Sequence, residues 1–144
     1  MLRPLTLPDV DSVMAIQKAS PELAQWVRRD YERVAQGQMA GWVEEEDGAV
    51  IGFVVARKLA DEMEILNFAV APDSRRRGIG SSLLRTAFDW GRANDVRKAF
   101  LEVRVSNLAA IAFYERHKFA SVGRRTSYYI SPIEDAIVLS AVVD

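Results

Sequence analysis

Two short blocks of this chain hold residues whose types and spacing could do chemistry, and the first is Arg75-Arg76-Arg77-Gly78-Ile79-Gly80-Ser81. It joins an apolar run ending in Ala71-Pro72-Asp73 to an amphipathic stretch, so it sits at the expected start of a helix. The first amides of a helix lack partners and the dipole places partial positive charge there, which favours an anion. Gly78 and Gly80 let the backbone approach closely and can take positive φ in an anion nest, while the arginines add charge-assisted hydrogen bonds to phosphate. No Gly-Lys-Ser/Thr follows and the Gly-x-Gly-x-x-Gly spacing is missing, so neither a mononucleotide loop nor a dinucleotide fold is indicated. A pyrophosphate fits. Taken alone, the same residues would equally make a solvated basic face over a tight turn.

The second block is Leu101-Glu102-Val103-Arg104-Val105-Ser106-Asn107, followed by Ala109 to Glu115. A carboxylate in a strand otherwise full of Leu, Val and Phe is unfavourable unless solvated or partnered. Alternation puts Phe100, Glu102 and Arg104 on one face, where a cross-strand salt bridge would satisfy Glu102; the chemical alternative is a general base. An α-amine with a pKa of about 7.7–8.0 needs only a modest base, whereas a lysine near 10.4 needs far more. Tyr114 offers a phenol of pKa about 10, able to protonate a departing thiolate, and its alternative is a core aromatic sharing a face with Ile111. Asn107 reads first as an N-cap. His117, the one histidine, falls in Glu-Arg-His-Lys near a helix C-terminus and reads as dipole-stabilised and solvated.

The elements that must position these residues follow from patterning. Leu2 to Leu5 suit a short strand, and Thr6 with Asp9 resembles a capping box opening a helix to about Ala19. A second helix is expected from Pro21 or Glu22 to about Gln36, with Gly37 after its end. Asp47-Gly48 between two strand-like runs signals a hairpin, Gly41–Glu44 against Ala49–Ala56. Met63–Val70 is a further strand, Gly80 to about Ala93 a helix, and Ala99–Val105 a strand, which together form a strand–helix–strand unit with a parallel pair. Leu108–His117 is a short helix capped by Asn107, and Phe119–Val122 and Ala136–Val143 complete the sheet. The fold class is α/β: one domain over residues 1–144, a mixed sheet with an antiparallel N-terminal part and a central parallel pair, flanked by helices.

Composition narrows the partners. With 19 basic and 20 acidic residues, no overall field favours nucleic acid or an anionic membrane. The absence of cysteine excludes disulfides, thiolate zinc sites and a cysteine nucleophile, and no nucleophile elbow is present. Pro4, Pro8 and an acidic pair stand where a signal peptide needs an apolar stretch, and no run approaches the roughly 18 residues of a membrane span. A cytoplasmic protein with no metal, nucleic-acid or membrane partner is the expectation.

Arg75, Gly78 and Gly80, directly after Ala69-Val70-Ala71-Pro72-Asp73, match a Gln/Arg-x-x-Gly-x-Gly/Ala signature, and through it the chain resembles the GNAT superfamily of N-acetyltransferases. That resemblance implies acetyl-CoA as cosubstrate, its pyrophosphate on the backbone from Arg76 through Arg77, Gly78, Ile79 and Gly80 to Ser81. It implies that the preceding strand bulges and splays, so that Phe68, Ala69 and Val70 present backbone groups to the acetyl and pantetheine parts. The Val70 amide would be the oxyanion donor, a contribution of about 3 kcal/mol in comparable acyl transfers. The second block resembles the RimI family of protein N-terminal acetyltransferases, whose LEVR-x-SN-x-x-AI-x-x-YE pattern carries a glutamate base, a cofactor-binding asparagine and a tyrosine acid; by position these are Glu102, Asn107 and Tyr114. The likeness runs from about Glu64 to Val138 and includes a late VGRR-x-x-YY-x-x-P-x-EDA segment, which implies that Tyr128 and Tyr129 border a peptide entrance. The first 60 or so residues share only element order and apolar pattern. The implied reaction is direct attack of a neutral amine on the thioester, the acceptor being a protein N-terminus such as the N-terminal alanine of a small-subunit ribosomal protein. Its rivals are acetylation of a small amine or a lysine side chain, and a non-catalytic acyl-CoA-binding module, against which Glu102 and Tyr114 speak.

Overall fold

The computed structural model describes residues 1–144. Seven strands form one sheet in the order β1 (Leu2–Pro4), β2 (Ala40–Glu46), β3 (Ala49–Leu59), β4 (Glu62–Val70), β5 (Lys98–Arg104), β7 (Ile133–Val142), β6 (Ala120–Ile130). All neighbours are antiparallel except β4 and β5. Helices α1 (Val10–Lys18) and α2 (Arg28–Ala35) precede β2, α3 (Ile79–Ala93) crosses from β4 to β5, and α4 (Leu108–Arg116) follows β5. The mixed α/β architecture expected from patterning is therefore present, parallel pair included. No helix is long and apolar enough to cross a membrane.

Period-two alternation divides the sheet between two cores. On β3, Val54 and Ala56 face a cluster built around Leu83, Leu84 and Ala87 of α3, while Phe53 and Val55 face Val10, Val13 and Ile16 of α1 and Tyr31 and Val34 of α2. On β4 the alternation changes phase. Val55 pairs with Asn67 but Ala56 with Ile65, so β4 carries one extra residue at Leu66. Before this bulge Met63 and Ile65 face α3; after it Phe68 and Val70 pack on that side, while Asn67 and Ala69 are buried on the other. The parallel pairing of β4 with β5 covers only Glu62–Glu64 against Lys98–Phe100. From there β4 stays with β3 to Val70 and β5 stays with β7 to Arg104, so the sheet splits down its middle.

Three expectations need correction. The first helix proper begins at Val10 after a 3-10 turn over Leu7–Asp9, although the expected cap is there: the Thr6 amide and hydroxyl each donate to Asp9 Oδ2 at 2.8 Å. Helix α2 begins at Arg28 rather than at Pro21 or Glu22. Val27 is extended and its amide donates to Asp30 Oδ2 (3.0 Å), while the Gln17 side chain satisfies the Trp26 backbone, donating from Nε2 to the carbonyl at 2.8 Å and accepting from the amide at 3.3 Å. A buried glutamine on α1 thus replaces the helical bonds these residues would otherwise make. Third, β6 continues to Ile130 and carries Tyr128 and Tyr129, instead of ending at Val122, and β7 starts at Ile133. This edge strand is exposed along nearly its whole length, so no apolar alternation marks it.

Candidate functional site

The split between β4 and β5 opens a cleft of about 690 Å³, within the range of small-molecule sites. One wall is Ile65–Val70 of β4 and the other Leu101–Val103 of β5. The turn before α3 closes one end, α4 covers the α3 side, and Glu22, Leu23, Ala24 and Tyr129 lie at the opposite mouth.

The turn is an anion seat by local geometry. Gly78 is the N-cap of α3 at φ 82°, and Arg76 also takes positive φ, 64°. The first intrahelical bond is Ser82 N–H to the Gly78 carbonyl at 3.1 Å, which leaves the amides of Ile79, Gly80 and Ser81 without helical partners. Gly80 is helical, so the pair of positive-φ residues is Arg76 and Gly78 rather than the two glycines. What Gly80 provides is closeness: a Cβ there would stand 3.4 Å from the Phe113 ring. The arginines divide. Arg75 is tied to the protein, donating to the Val70 carbonyl and to Ser20 Oγ at 3.1 Å each. Arg76 lines the cleft; Arg77 does not, and its exposed guanidinium pairs with Glu46 at 2.6 Å.

Strand β4 presents main chain to the cleft because its former partner has withdrawn. Ala71 N–H donates to the Ile51 carbonyl at 2.8 Å. In an antiparallel ladder adjacent residues alternate between bonding to the partner and turning away, so Val70, one residue earlier and opposite Gly52, turns its N–H away from β3. The Val70 carbonyl, accepting from Arg75, confirms the direction. Phe68 has the same parity, its amide donating to Asn67 Oδ1 at 3.3 Å. Ala69 lies on the cleft wall, but by the same rule its backbone faces β3.

Glu102 projects from β5 on the face opposite Leu101 and Val103, with its side chain 14% exposed. Oε1 lies 3.3 Å from Arg125 Nε on β6, so the salt bridge anticipated from alternation exists. It occupies one oxygen only: Oε2 is buried and has no hydrogen-bond partner. The carboxylate acts on the tyrosines beside it. Tyr129 lines the cleft, is stacked under the Arg104 guanidinium at 4.3 Å, and is pushed up to about 12, first by burial and then by Glu102. Tyr128 is shifted up by burial and by Glu102, but it is half exposed and stacks edge-on against Tyr129 instead of lining the cleft.

Tyr114 enters from α4 on the opposite face. Its ring packs edge-on against Phe68 (6.1 Å), Phe113 (5.4 Å) and Phe119 (5.5 Å), and burial raises its phenol, which holds the proton firmly at neutral pH. Asn107 Oδ1 caps α4 by accepting from Ala110 N–H at 3.3 Å, and its Nδ2 remains as a donor on the cleft wall. The structure thus brings Glu102, Tyr114, Asn107, Tyr129, the β4 backbone and the turn into one cleft, and leaves out Arg77 and Tyr128.

Two groups were missed or misread from sequence. Glu22, Leu23 and Ala24 line the mouth, although they read as helix; Pro21 directly after Ser20 was the available signal for a loop. His117 is not solvated. It is partly buried, packs tilted against Phe113 with ring centroids 4.6 Å apart, lies 3.0 Å from Ser81 Oγ, and is held below the usual imidazole value by burial and then by Arg116 and Arg85.

Comparison with known proteins points to one family. The profile described as the Acetyltransferase (GNAT) family matches residues 8–119. A Bacillus subtilis protein provisionally assigned as a [ribosomal protein bS18]-alanine N-acetyltransferase is 31% identical over 140 residues, covering 96% of this chain and 92% of that one. The [Ribosomal protein bS18]-alanine N-acetyltransferase of Escherichia coli is 37% identical over 97 residues, 66% of each chain. A crystal structure of the ribosomal-protein-S18-alanine N-acetyltransferase from Escherichia coli superimposes with a TM-score of 0.87 at 27% identity, covering 100% of this chain and 94% of that one.

Proposed function

The chain belongs to the acetyltransferase (GNAT) family, and from that premise we propose that it transfers the acetyl group of acetyl-CoA to the α-amine of a protein N-terminus, an N-terminal alanine of a small-subunit ribosomal protein being the foremost candidate. The single observation carrying this reading is the split sheet. It sets an outward-turned Val70 amide between a free amide turn and a carboxylate oxygen with no partner. The relatives' designations supply the acceptor.

The residues present suit the coenzyme. The amides of Ile79, Gly80 and Ser81 would receive its diphosphate, with Arg76 adding charge. Asn107 Nδ2 and the Phe68 backbone would hold the pantetheine arm. Bound there, the thioester supplies an activated acetyl group, and the Val70 N–H stabilises charge growing on its oxygen. The amine arrives through the other face. Glu102, Tyr129 and Glu22–Ala24 lie on that side, whereas Tyr114 packs with the α3-side core, so the two reactants meet through the split instead of competing for one entrance. Glu102 Oε2 accepts the amine's proton, directly or through water, and Tyr114 gives its proton to the departing thiolate. No side chain need form a covalent acyl adduct, because aligning two bound reactants itself supplies several kcal/mol (about 7 or more in well-oriented cases).

An α-amine fits this base better than a lysine does, its pKa being lower by more than two units (about 7.7–8.0 against about 10.4). Intact-mass assays with an alanine-starting peptide, an N-blocked lysine peptide and a polyamine test the choice. Addition of one acetyl group to the alanine peptide is expected; exclusive modification of lysine or polyamine would defeat it.

A further inference from the structure

One titratable group in the cleft has no part in the transfer. His117 stands at the C-terminal end of α4, its Nε2 3.0 Å from Ser81 Oγ, and Ser81 is the third residue of the free amide run at the head of α3. Both residues line the cleft, at the turn end and not beside Glu102's strand partners. We propose that His117 and Ser81 form a proton-operated latch on the diphosphate subsite, in which the imidazole sets the direction of the Ser81 hydroxyl proton and coenzyme binding draws a proton onto His117. The proposal rests on the coenzyme reading above and deepens it.

A serine hydroxyl has one proton and two lone pairs. When Nε2 is bare it takes that proton, and Ser81 then shows only lone pairs to an arriving phosphate oxygen. When Nε2 carries a proton it donates to Oγ, and the hydroxyl proton is free to point at the phosphate. The neutral Nε2–H tautomer achieves the orientation alone; protonation adds a positive charge beside a dianion. The ring packs tilted against Phe113, and Phe113 in turn lies close to Gly80, which favours this arrangement.

The charges acting on His117 are Arg116 on its own helix and Arg85 on α3, with Arg76 of the turn lining the same cleft. All are cationic; burial first, then Arg116 and Arg85, hold the imidazole below its usual value in the free protein. A bound diphosphate opposes them and raises the imidazole's proton affinity. Between the free and bound values binding must therefore take up a proton, and affinity rises as the pH falls through that window.

The test is calorimetric titration of the whole protein with dephospho-CoA from pH 8 to pH 5.5. This probe keeps its diphosphate diester but lacks the 3′-monoester, whose own second ionisation near pH about 6 would obscure the effect. Wild type is expected to bind about fivefold more tightly at the acidic end. It should also take up a fraction of a proton at pH 6.5, read by comparing buffers of different ionisation enthalpy. His117→Gln and His117→Leu should both bind with a flat profile and no uptake, and Ser81→Ala should lose most of the slope. A slope retained in both His117 variants overturns the latch while leaving the coenzyme site intact. Absence of dephospho-CoA binding in every form, wild type included, overturns the coenzyme reading and the latch with it.

Discussion

The two halves of the cleft are built from different materials. The coenzyme half is mostly main chain: the amides of Ile79, Gly80 and Ser81 at the head of α3 and the Phe68 and Val70 backbone on β4 lie within one stretch of sequence, and the side chains of Arg76 and Asn107 add to them. The acceptor half is side chain, gathered from distant places: Glu102 on β5, Tyr129 and Arg125 on β6, and Glu22–Ala24 in the segment before α2. A diphosphate is the same in every turnover, and backbone donors fixed by a helix suit an invariant ligand. The acceptor half can be re-specified by changing single residues without disturbing the seat beside it. Substitutions should consequently separate into two classes, one acting on coenzyme affinity and the other on turnover or acceptor KM.

The largest separation is expected at Glu102. Glu102→Gln should lower kcat by about 100-fold or more while leaving the Kd for acetyl-CoA within about twofold, because only the proton acceptor is lost. Pre-steady-state turnover alongside calorimetry reads both quantities, and a change in Kd equal to the change in kcat would break the division. Gly78→Val should do the converse. A β-branched residue is disfavoured at φ 82° by roughly 1–2 kcal/mol, so the free turn should relax out of the left-handed region; restoring the seat on binding should lower coenzyme affinity about tenfold, and the acceptor KM at saturating coenzyme should hold. Tyr129→Ala should raise the acceptor KM about fivefold, the loss of roughly 1 kcal/mol of aromatic contact, with acetyl-CoA affinity unchanged. The smallest effect belongs to Arg77→Ala. Its guanidinium pairs with Glu46 in the open, so coenzyme affinity should shift less than about twofold despite its place in the arginine run. A tenfold loss there would mean that Arg77 swings into the cleft when coenzyme binds.

The same division explains what could be seen in the residues beforehand. Gly78 and Gly80 next to a strand end announce a helix N-terminus because backbone geometry is encoded locally, and Glu102 stood out as a charge inside an apolar strand. The Asp47-Gly48 hairpin and the β4-α3-β5 unit were legible for the same reason. The segment from Pro21 to Val27 was not, since what unwinds it is the Gln17 side chain nine residues away in sequence from Trp26, acting through tertiary contact. Strand β6 was hidden because it lies at the sheet edge and buries almost nothing, so no apolar pattern records it. His117 was misplaced on the assumption that a helix C-terminus faces water; here α4 packs its last turn against the head of α3. Arg75, Arg76 and Arg77 looked equivalent in sequence, yet Arg75 lines the cleft while bracing β4, Arg76 lines it too, and Arg77 pairs with Glu46 outside it.

A crystal structure with acetyl-CoA bound would show whether the split in the sheet holds the thioester. The diphosphate is expected on the amides of Ile79, Gly80 and Ser81, and the thioester oxygen about 2.9 Å from the Val70 nitrogen, inside the split between β4 and β5. A coenzyme bound elsewhere, or a Val70 N–H paired with β3 and turned from the thioester, would contradict that placement.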